Sequence, residues 1–291
     1  MSPRHPVLHR GRALAVAALT LMGASLPFAA RSATVNVTPA NMGGWSFNSR
    51  DANGAVNSDP GAVGAMVTGP AAPPLGTGSA NLAVGNGTSG GDGAEELSTA
   101  GLDGTKLSAL TALTYSTYDT LNNGQQFPYL TLAIATGNVS NPTDVLFFEP
   151  PYQTHTTGNA NLPNQGATQM NTWQTWNALT GGWWDNNGVG SPGTSVVSLS
   201  AFLTAYPDAT ISADPFAASL GGLGLNVGFA SPTDQFNGYV DGLTIGVSGT
   251  NTTYNFDPTA TPEPETAWLL GFGVVMLMTL ARRRGTTIAR R

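Results

Sequence analysis

The stretch Tyr239-Val240-Asp241-Gly242-Leu243-Thr244-Ile245-Gly246-Val247 decides how this chain is read. Leu243, Ile245 and Val247 recur at every second residue. On an extended backbone they share one face and turn Thr244 and Gly246 to the other. A second stretch, Tyr129-Leu130-Thr131-Leu132-Ala133-Ile134-Ala135-Thr136, repeats the pattern with Leu130, Leu132 and Ile134 on one face. Outward from these two, short β-rich runs broken by Gly, Pro, Asn and Asp follow one another. Strands are expected over 34–38, 44–47, 62–68, 80–84, 107–118, 129–136, 145–149, 173–178, 182–184, 210–212, 224–229, 238–247 and 253–256. One short helix is expected at Leu199–Ala205, capped by Ser198 and stopped before Pro207. So many short strands at this spacing, without a long internal repeat, predict an all-β chain: a single β-sandwich of jelly-roll-like size.

Composition agrees with that fold and removes several kinds of chemistry. Of 291 residues 41% are hydrophobic and only 10% charged, with 37 glycines and 20 prolines. Helical bundles and coiled coils need far more Glu and Lys. The absence of cysteine excludes disulfide frameworks, thiolate metal sites and cysteine nucleophiles. The net charge of −6 is unevenly placed. Nine of the eleven basic residues lie before residue 32 or after residue 281, while Ala33 to Thr261 holds Arg50 and Lys106 against fifteen acids, a net of −13. Two cations cannot neutralise a polyanion, so nucleic acid is not a partner.

The ends read as addresses. Arg4, Arg10 and Arg12 precede an apolar run from Ala13 to Met22, and Ala30 and Ser32 place small residues at −3 and −1 of a cut after Ser32. Residues 1–32 therefore read as a secretory signal peptide with its apolar helix. Residues 33–258 are the passenger domain. Residues 259–291 hold Pro262-Glu263-Pro264, an apolar run over 267–281, and Arg282-Arg283-Arg284. Fifteen helical residues cover about 22 Å, short of the roughly 30 Å bilayer core, with Trp268 at one interface and the arginines snorkelling at the cytoplasmic one. Without further information this is a C-terminal membrane anchor.

The order Pro-Glu-Pro, short hydrophobic helix, arginine cluster resembles the PEP-CTERM sorting signal of Gram-negative bacteria. The resemblance covers about thirty residues, Thr261 to Arg291. It implies export through the inner membrane, a transient anchor with Arg282, Arg283 and Arg284 as its stop, and recognition of Pro262, Glu263 and Pro264 by an exosortase. It also implies a final place at the cell surface or in the extracellular matrix, among exopolysaccharide and biofilm. The closing stretch from Phe236 to Val247, followed by Thr253 to Asp257, is similar to the last strands of jelly-roll carbohydrate-binding modules and PEP-CTERM passengers. That likeness implies a glycan-binding fold without naming a ligand.

Within the passenger the chemistry narrows further. His155 is its one histidine, in a polar segment with no nucleophile motif nearby, so a Ser-His-Asp triad or a histidine-ligated zinc site is not supported. Carboxylate pairs remain available for glycoside hydrolysis, with Asp92, Glu95, Glu96, Glu149 and Asp185 as the acids. Glu95 and Glu96 would face opposite sides of a strand. Glu149, after Phe147-Phe148, has apolar neighbours that would raise its pKa, although an edge-strand glutamate before two prolines is ordinarily solvated. Oxygen ligands suit Ca²⁺, and Asp241 is the candidate for a structural ion, but no D-x-[DN]-x-[DN]-G loop occurs.

Four of the six tryptophans fall between Trp173 and Trp184. Trp173 and Trp176 face opposite sides, as do Trp183 and Trp184, so two should enter the core and two stay near the surface. An exposed indole packs on the C–H face of a pyranose, and amides bond its hydroxyls. Trp184, Asp185, Asn186 and Asn187, with Tyr152 as neighbour, form the candidate patch for a neutral glycan. The bland reading is a hairpin that buries bulky residues and turns on asparagines. The expected function is a non-catalytic, exported surface or matrix protein binding neutral glycan or exopolysaccharide. A carboxylate-dependent glycan-active enzyme and a purely structural acidic matrix protein are the alternatives.

Overall fold

The computed structural model describes residues 32–56, 61–85, 93–215 and 220–259. Residues 1–31 of the expected signal peptide, Asp92, Pro262, Glu263, Pro264, the apolar run over 267–281 and Arg282, Arg283 and Arg284 lie outside the described residues, whereas Ser32, the last residue of the expected signal peptide, opens β1. Among the described residues no helix is long and apolar enough to cross a membrane.

The described chain is mostly β-strand, arranged in two seven-stranded sheets. The first contains β1 (Ser32–Val37), β3 (Val63–Thr68), β4 (Gly78–Val84), β6 (Leu110–Leu121), β9 (Gln174–Asn177), β13 (Phe236–Val247) and β14 (Thr250–Phe256). The second contains β2 (Trp45–Arg50), β5 (Ala94–Thr99), β7 (Tyr129–Ala135), β8 (Thr143–Phe148), β10 (Trp184–Asp185), β11 (Thr210–Ile211) and β12 (Leu223–Gly228). The helix α1 (Leu199–Ala205) buries Leu199 and Phe202 against the core.

The two alternating stretches lie at the centre of the two sheets. Strand β13 carries β6 along one edge. Its other edge is divided: Phe236–Val240 pairs with β4, and Leu243–Val247 pairs with β14. The division falls at Gly242, whose φ of +62° lies in the left-handed region that a side chain disfavours. Asp241, fully buried, closes the gap. Its Oδ2 accepts from the Leu75 N–H at 2.8 Å and its Oδ1 from the Phe256 N–H at 3.1 Å, so one carboxylate holds the approach to β4 and the end of β14. In the second sheet the order is β10-β8-β7-β12-β5-β2, antiparallel throughout, with β11 on the far end of β7. The sheets pack face to face, β4 and β13 over β5 and β12. Leu113, Tyr115, Trp176, Val240, Leu243 and Ile245 from one meet Leu97, Leu130, Leu132, Ile134, Leu146 and Phe148 from the other in one apolar core.

Several expected boundaries shift. The run over 107–118 opens as a 3₁₀ turn, Leu107–Ala109, before β6. Of 182–184 only Trp184 joins a strand, while Trp183 makes an isolated bridge to Val197. Ser198 precedes the helix but gives no side-chain cap; its hydroxyl bonds that of Ser200 at 2.6 Å. The largest omission is β5. Its sequence Ala-Glu-Glu-Leu-Ser-Thr holds one large apolar residue and falls in none of the expected strands, yet every residue is buried between β2 and β12. Glu95 and Glu96 do face opposite sides. Glu95 turns inward over Gly64 of the first sheet, and Glu96 turns outward to Arg50.

Candidate functional site

Alternation puts Leu130, Leu132, Leu146 and Phe148 in the core, which leaves Tyr129, Thr131, Val145 and Phe147 on the outer face of the second sheet. The register then aligns side chains across it. Asn48 opposes Glu96, Glu96 opposes Asn226, and Asn226 opposes Tyr129. The ladder continues to Glu149, just past the end of β8. One cross-strand row thus reads Asn48, Glu96, Asn226, Tyr129, Glu149. Over it lies a cleft of about 330 Å³, at the low end of the range for small-ligand sites. Arg50, Tyr129, Phe147, Glu149, Trp184, Asp214 and Asn226 contribute to its lining.

At one end sits the only buried cation among the described residues. Arg50 is 6% exposed, and its Nη1 lies 3.2 Å from both Glu96 Oε2 and Asp214 Oδ2. Its guanidinium also rests 5.2 Å over the Phe229 ring. Burial pushes the Glu96 carboxyl up to about 7, against the pull of Arg50 toward the ionised form. Glycine at position 224 makes this possible. A Cβ there would stand 2.3 Å from Glu96 Oε1 and 2.8 Å from Thr131 Oγ1.

At the other end Trp184 lies parallel on Phe147, with centroids 4.1 Å apart and planes 12° from parallel. The pairing of Trp184 with Phe147 across β10 and β8 fixes that stack. Beside it Glu149 is 7% exposed, and burial raises its carboxyl to about 7. The Trp184 indole N–H lies near enough to favour the ionised form, yet closes no hydrogen bond of normal geometry. Gln126 Oε1, also in the cleft lining, is buried without a partner. Gln153 braces this end: its Nε2 donates to the Glu149 and Gly182 carbonyls, and its Oε1 accepts from the Gly182 N–H, each at 2.8–2.9 Å.

The expected tryptophan division is what the structure shows. Trp176 and Trp183 are fully buried, and Trp173 and Trp184 are half-buried. The patch expected around Trp184 is drawn apart. Trp184 enters the cleft, but Asp185 on the opposite face of β10 is buried against Asp144. Its oxygens accept from the N–H groups of Asn187, Val189 and Gly190 and so shape the turn. Asp144 is raised to about 7 by burial and then by the Asp185 carboxyl beside it. Asn186 and Asn187 are exposed, and Asn187 Nδ2 bonds the Thr143 carbonyl at 3.0 Å. Tyr152 lines a separate shallow hollow with Gly124, Gln125 and Pro151. Turn chemistry at an Asp-Asn-Asn tip accounts for these roles better than ligand contact.

Asp241 is already engaged by the two backbone donors named above. Its carboxyl is raised to about 6 by burial, against those hydrogen bonds. Among the described residues no group of three or more His, Cys, Asp or Glu is placed to hold a metal ion. His155 is exposed, its Nε2 3.0 Å from the Leu162 carbonyl. Glu149 departs from the solvated default, being buried in the cleft that Tyr129, Phe147 and Trp184 line. Sequence reasoning missed Arg50, Gln126, Asp214 and Asn226; only the outward alternation of Tyr129, Thr131 and Phe147 carried a readable signal. Compared with known protein families, curated proteins and solved structures, the chain matches none.

Proposed function

We propose that this chain is an exported, non-catalytic surface or matrix protein that binds glycan in the outer cleft of its second sheet. The carrying observation is the stacked Phe147–Trp184 platform in the wall of a cleft that Gln126 and Asn226 also line. A flat aromatic face with amide side chains nearby suits a pyranose ring. Two long sheets with a loaded outer face also favour the jelly-roll-like form of sandwich. Titration of the full chain with uncharged and amine-bearing oligosaccharides is the test. Binding should weaken at least about tenfold in Trp184→Ala, a loss of the order of 1.4 kcal/mol; a set of both kinds that gives no heat at millimolar concentration removes the reading.

The resemblance of residues 261–291 to a sorting signal supports the rest of the proposal: passage through the inner membrane, transient anchoring and exosortase processing at Pro262-Glu263-Pro264, with release to the cell surface or matrix. Replacing those three residues should leave a larger, membrane-retained species, whereas unchanged release argues for a plain anchor. Hydrolysis is the second reading, because a glutamate raised to about 7 has the protonation state of a general acid. It needs a second carboxylate. Glu96 stands three strands away in the same row, about 14 Å at the usual strand spacing, whereas glycosidase pairs are about 5–9.5 Å apart. Both Glu96 and Asp214 are also committed to Arg50. Ca²⁺ at Asp241 remains a proposal with its own test. A structural ion there predicts a melting temperature that falls in chelator and returns with Ca²⁺.

A further inference from the structure

Charge in the cleft is arranged asymmetrically, and the asymmetry bears on what kind of sugar the site takes. The described residues contain two basic side chains, and both are occupied. Arg50 is held between Glu96 and Asp214, and Lys106 pairs with Asp208 at the surface. The single histidine faces the Leu162 carbonyl. Glu149 is therefore a buried carboxylate that no basic side chain of the described chain accompanies. Aromatic side chains share its cleft instead: Tyr129, Phe147 and Trp184 line the same space as Glu149.

Burying an unpaired carboxylate is costly, and the cost is relieved only by protonation or by a cation. Aromatic faces around such a group add to the second solution, because ring quadrupoles attract an ammonium group. A carboxylate in an aromatic frame is thus a receptor for a positively charged nitrogen. Arg50 does not oppose it, since its own charge is more than balanced by its two acids.

We propose that the cleft selects a glycan carrying free amines, with the ammonium group of a 2-amino sugar placed against Glu149 and its ring on Trp184 and Phe147. This rests on the glycan-binding reading above and sharpens its substrate class from neutral to amine-bearing. The remaining contacts follow from the same geometry. The Gln126 and Asn226 side chains line the same cleft, with Asn226 in the middle of the row placed for the next sugar. Acetylating the nitrogen removes its charge and adds bulk where the carboxylate stands.

The test compares three tetrasaccharides on the full chain by calorimetry at neutral pH: a β-1,4-glucosamine tetramer, its N-acetylated form and cellotetraose. Tetralysine serves as a control for attraction to an acidic chain. The glucosamine tetramer should bind at least about tenfold tighter than the other three, and the preference should persist in about 0.5 M salt, since a buried pair is screened far less than a surface one. Glu149→Gln should abolish the preference, bringing the glucosamine tetramer to within about twofold of cellotetraose measured on the same variant. Equal affinities among the saccharides, a preference that survives Glu149→Gln, or tetralysine binding as tightly as the glucosamine tetramer overturns the inference and leaves glycan binding standing. No binding by any saccharide removes both. The wild-type comparison is decisive by itself should the variant fold poorly.

Discussion

The two sheets each bury acidic side chains, and they treat them differently. In the first sheet Asp241 receives the Leu75 and Phe256 N–H groups, and Asp257 receives the N–H groups of Thr77 and Thr259. These carboxylates are used up by backbone donors at the point where β13 changes partners. In the second sheet Glu149 has no basic partner and no complete hydrogen bond from Trp184, and it opens into a cleft. Burial raises the carboxyls of Asp241 and Glu149 alike, so burial alone does not distinguish them. Saturation does. A carboxylate that holds backbone together resembles a cross-link, and its removal orphans donors that have no other acceptor. A carboxylate that holds nothing destabilises the chain that buries it, and such a cost is tolerated where a ligand repays it.

The largest effect should come from Asp241→Ala. Two N–H groups at the split edge of β13 lose their acceptor inside the molecule, and each such loss costs about 1–3 kcal/mol. A total near 3 kcal/mol in urea unfolding is expected, with Gly242 and the divided edge left intact but poorly held. A loss below about 1 kcal/mol would mean that the bracket is ornamental and that β4 and β14 are positioned by packing alone.

Glu149→Gln should move stability the other way. The ordinary glutamate value of 4.5 applies to the unfolded chain, and burial raises the folded value to about 7. Between those values the folded chain keeps a proton that the unfolded chain has released. Stability therefore falls as pH rises from about 4.5 to about 7, and this group adds no slope above that. Glutamine has no proton to lose, so the variant should be more stable than the parent by about 2–3 kcal/mol at pH 8 and nearly equal to it at pH 4. Glu96 and Asp144, raised in the same direction, keep part of the slope in the variant. Unfolding curves at several pH values decide this. A variant less stable than its parent at pH 8 breaks the contrast between the two sheets.

The same contrast explains how much could be read beforehand. Period-two alternation in Tyr129–Ala135 and at the end of β13 revealed the central strands, because apolar side chains needed nothing but a core. Opposite facing of Trp183 and Trp184 followed from the same geometry. Strand β5 escaped notice because its burial depends on partners distant in sequence: Arg50 for Glu96, and the facing Gly64 for Glu95. The cleft was legible at Trp184, at Glu149 with its apolar neighbours, and in the outward alternation of Tyr129 and Phe147. Arg50, Asp214 and Asn226 come from three separate segments, and register, which a single sequence does not display, brings them onto one row. Asp185, Asn186 and Asn187 were grouped by adjacency, whereas a two-residue strand turns neighbours to opposite faces.

The smallest predicted effect lies where the second sheet pairs an acid with a cation. Glu96 shares Arg50 with Asp214 and lies over Gly224, so that end of the cleft resembles the first sheet in miniature. Gly224→Ala places a methyl group 2.3 Å from Glu96 Oε1 at a position whose backbone an alanine can adopt. The end of a glutamate side chain can swing away, but only by leaving Arg50. A loss of about 1 kcal/mol is expected, since a two-sided ion pair becomes one-sided while Asp214 still holds the guanidinium. The loss should grow as pH rises past about 7, where Glu96 is ionised in the folded chain and its displacement separates two charges rather than a neutral acid from a cation. Glu96→Gln in the Gly224→Ala background should erase that growth. If the cost of the added methyl is the same at pH 5 and pH 8, it arises from contact with Thr131 and Asn226, and the ion pair contributes little to holding the cleft.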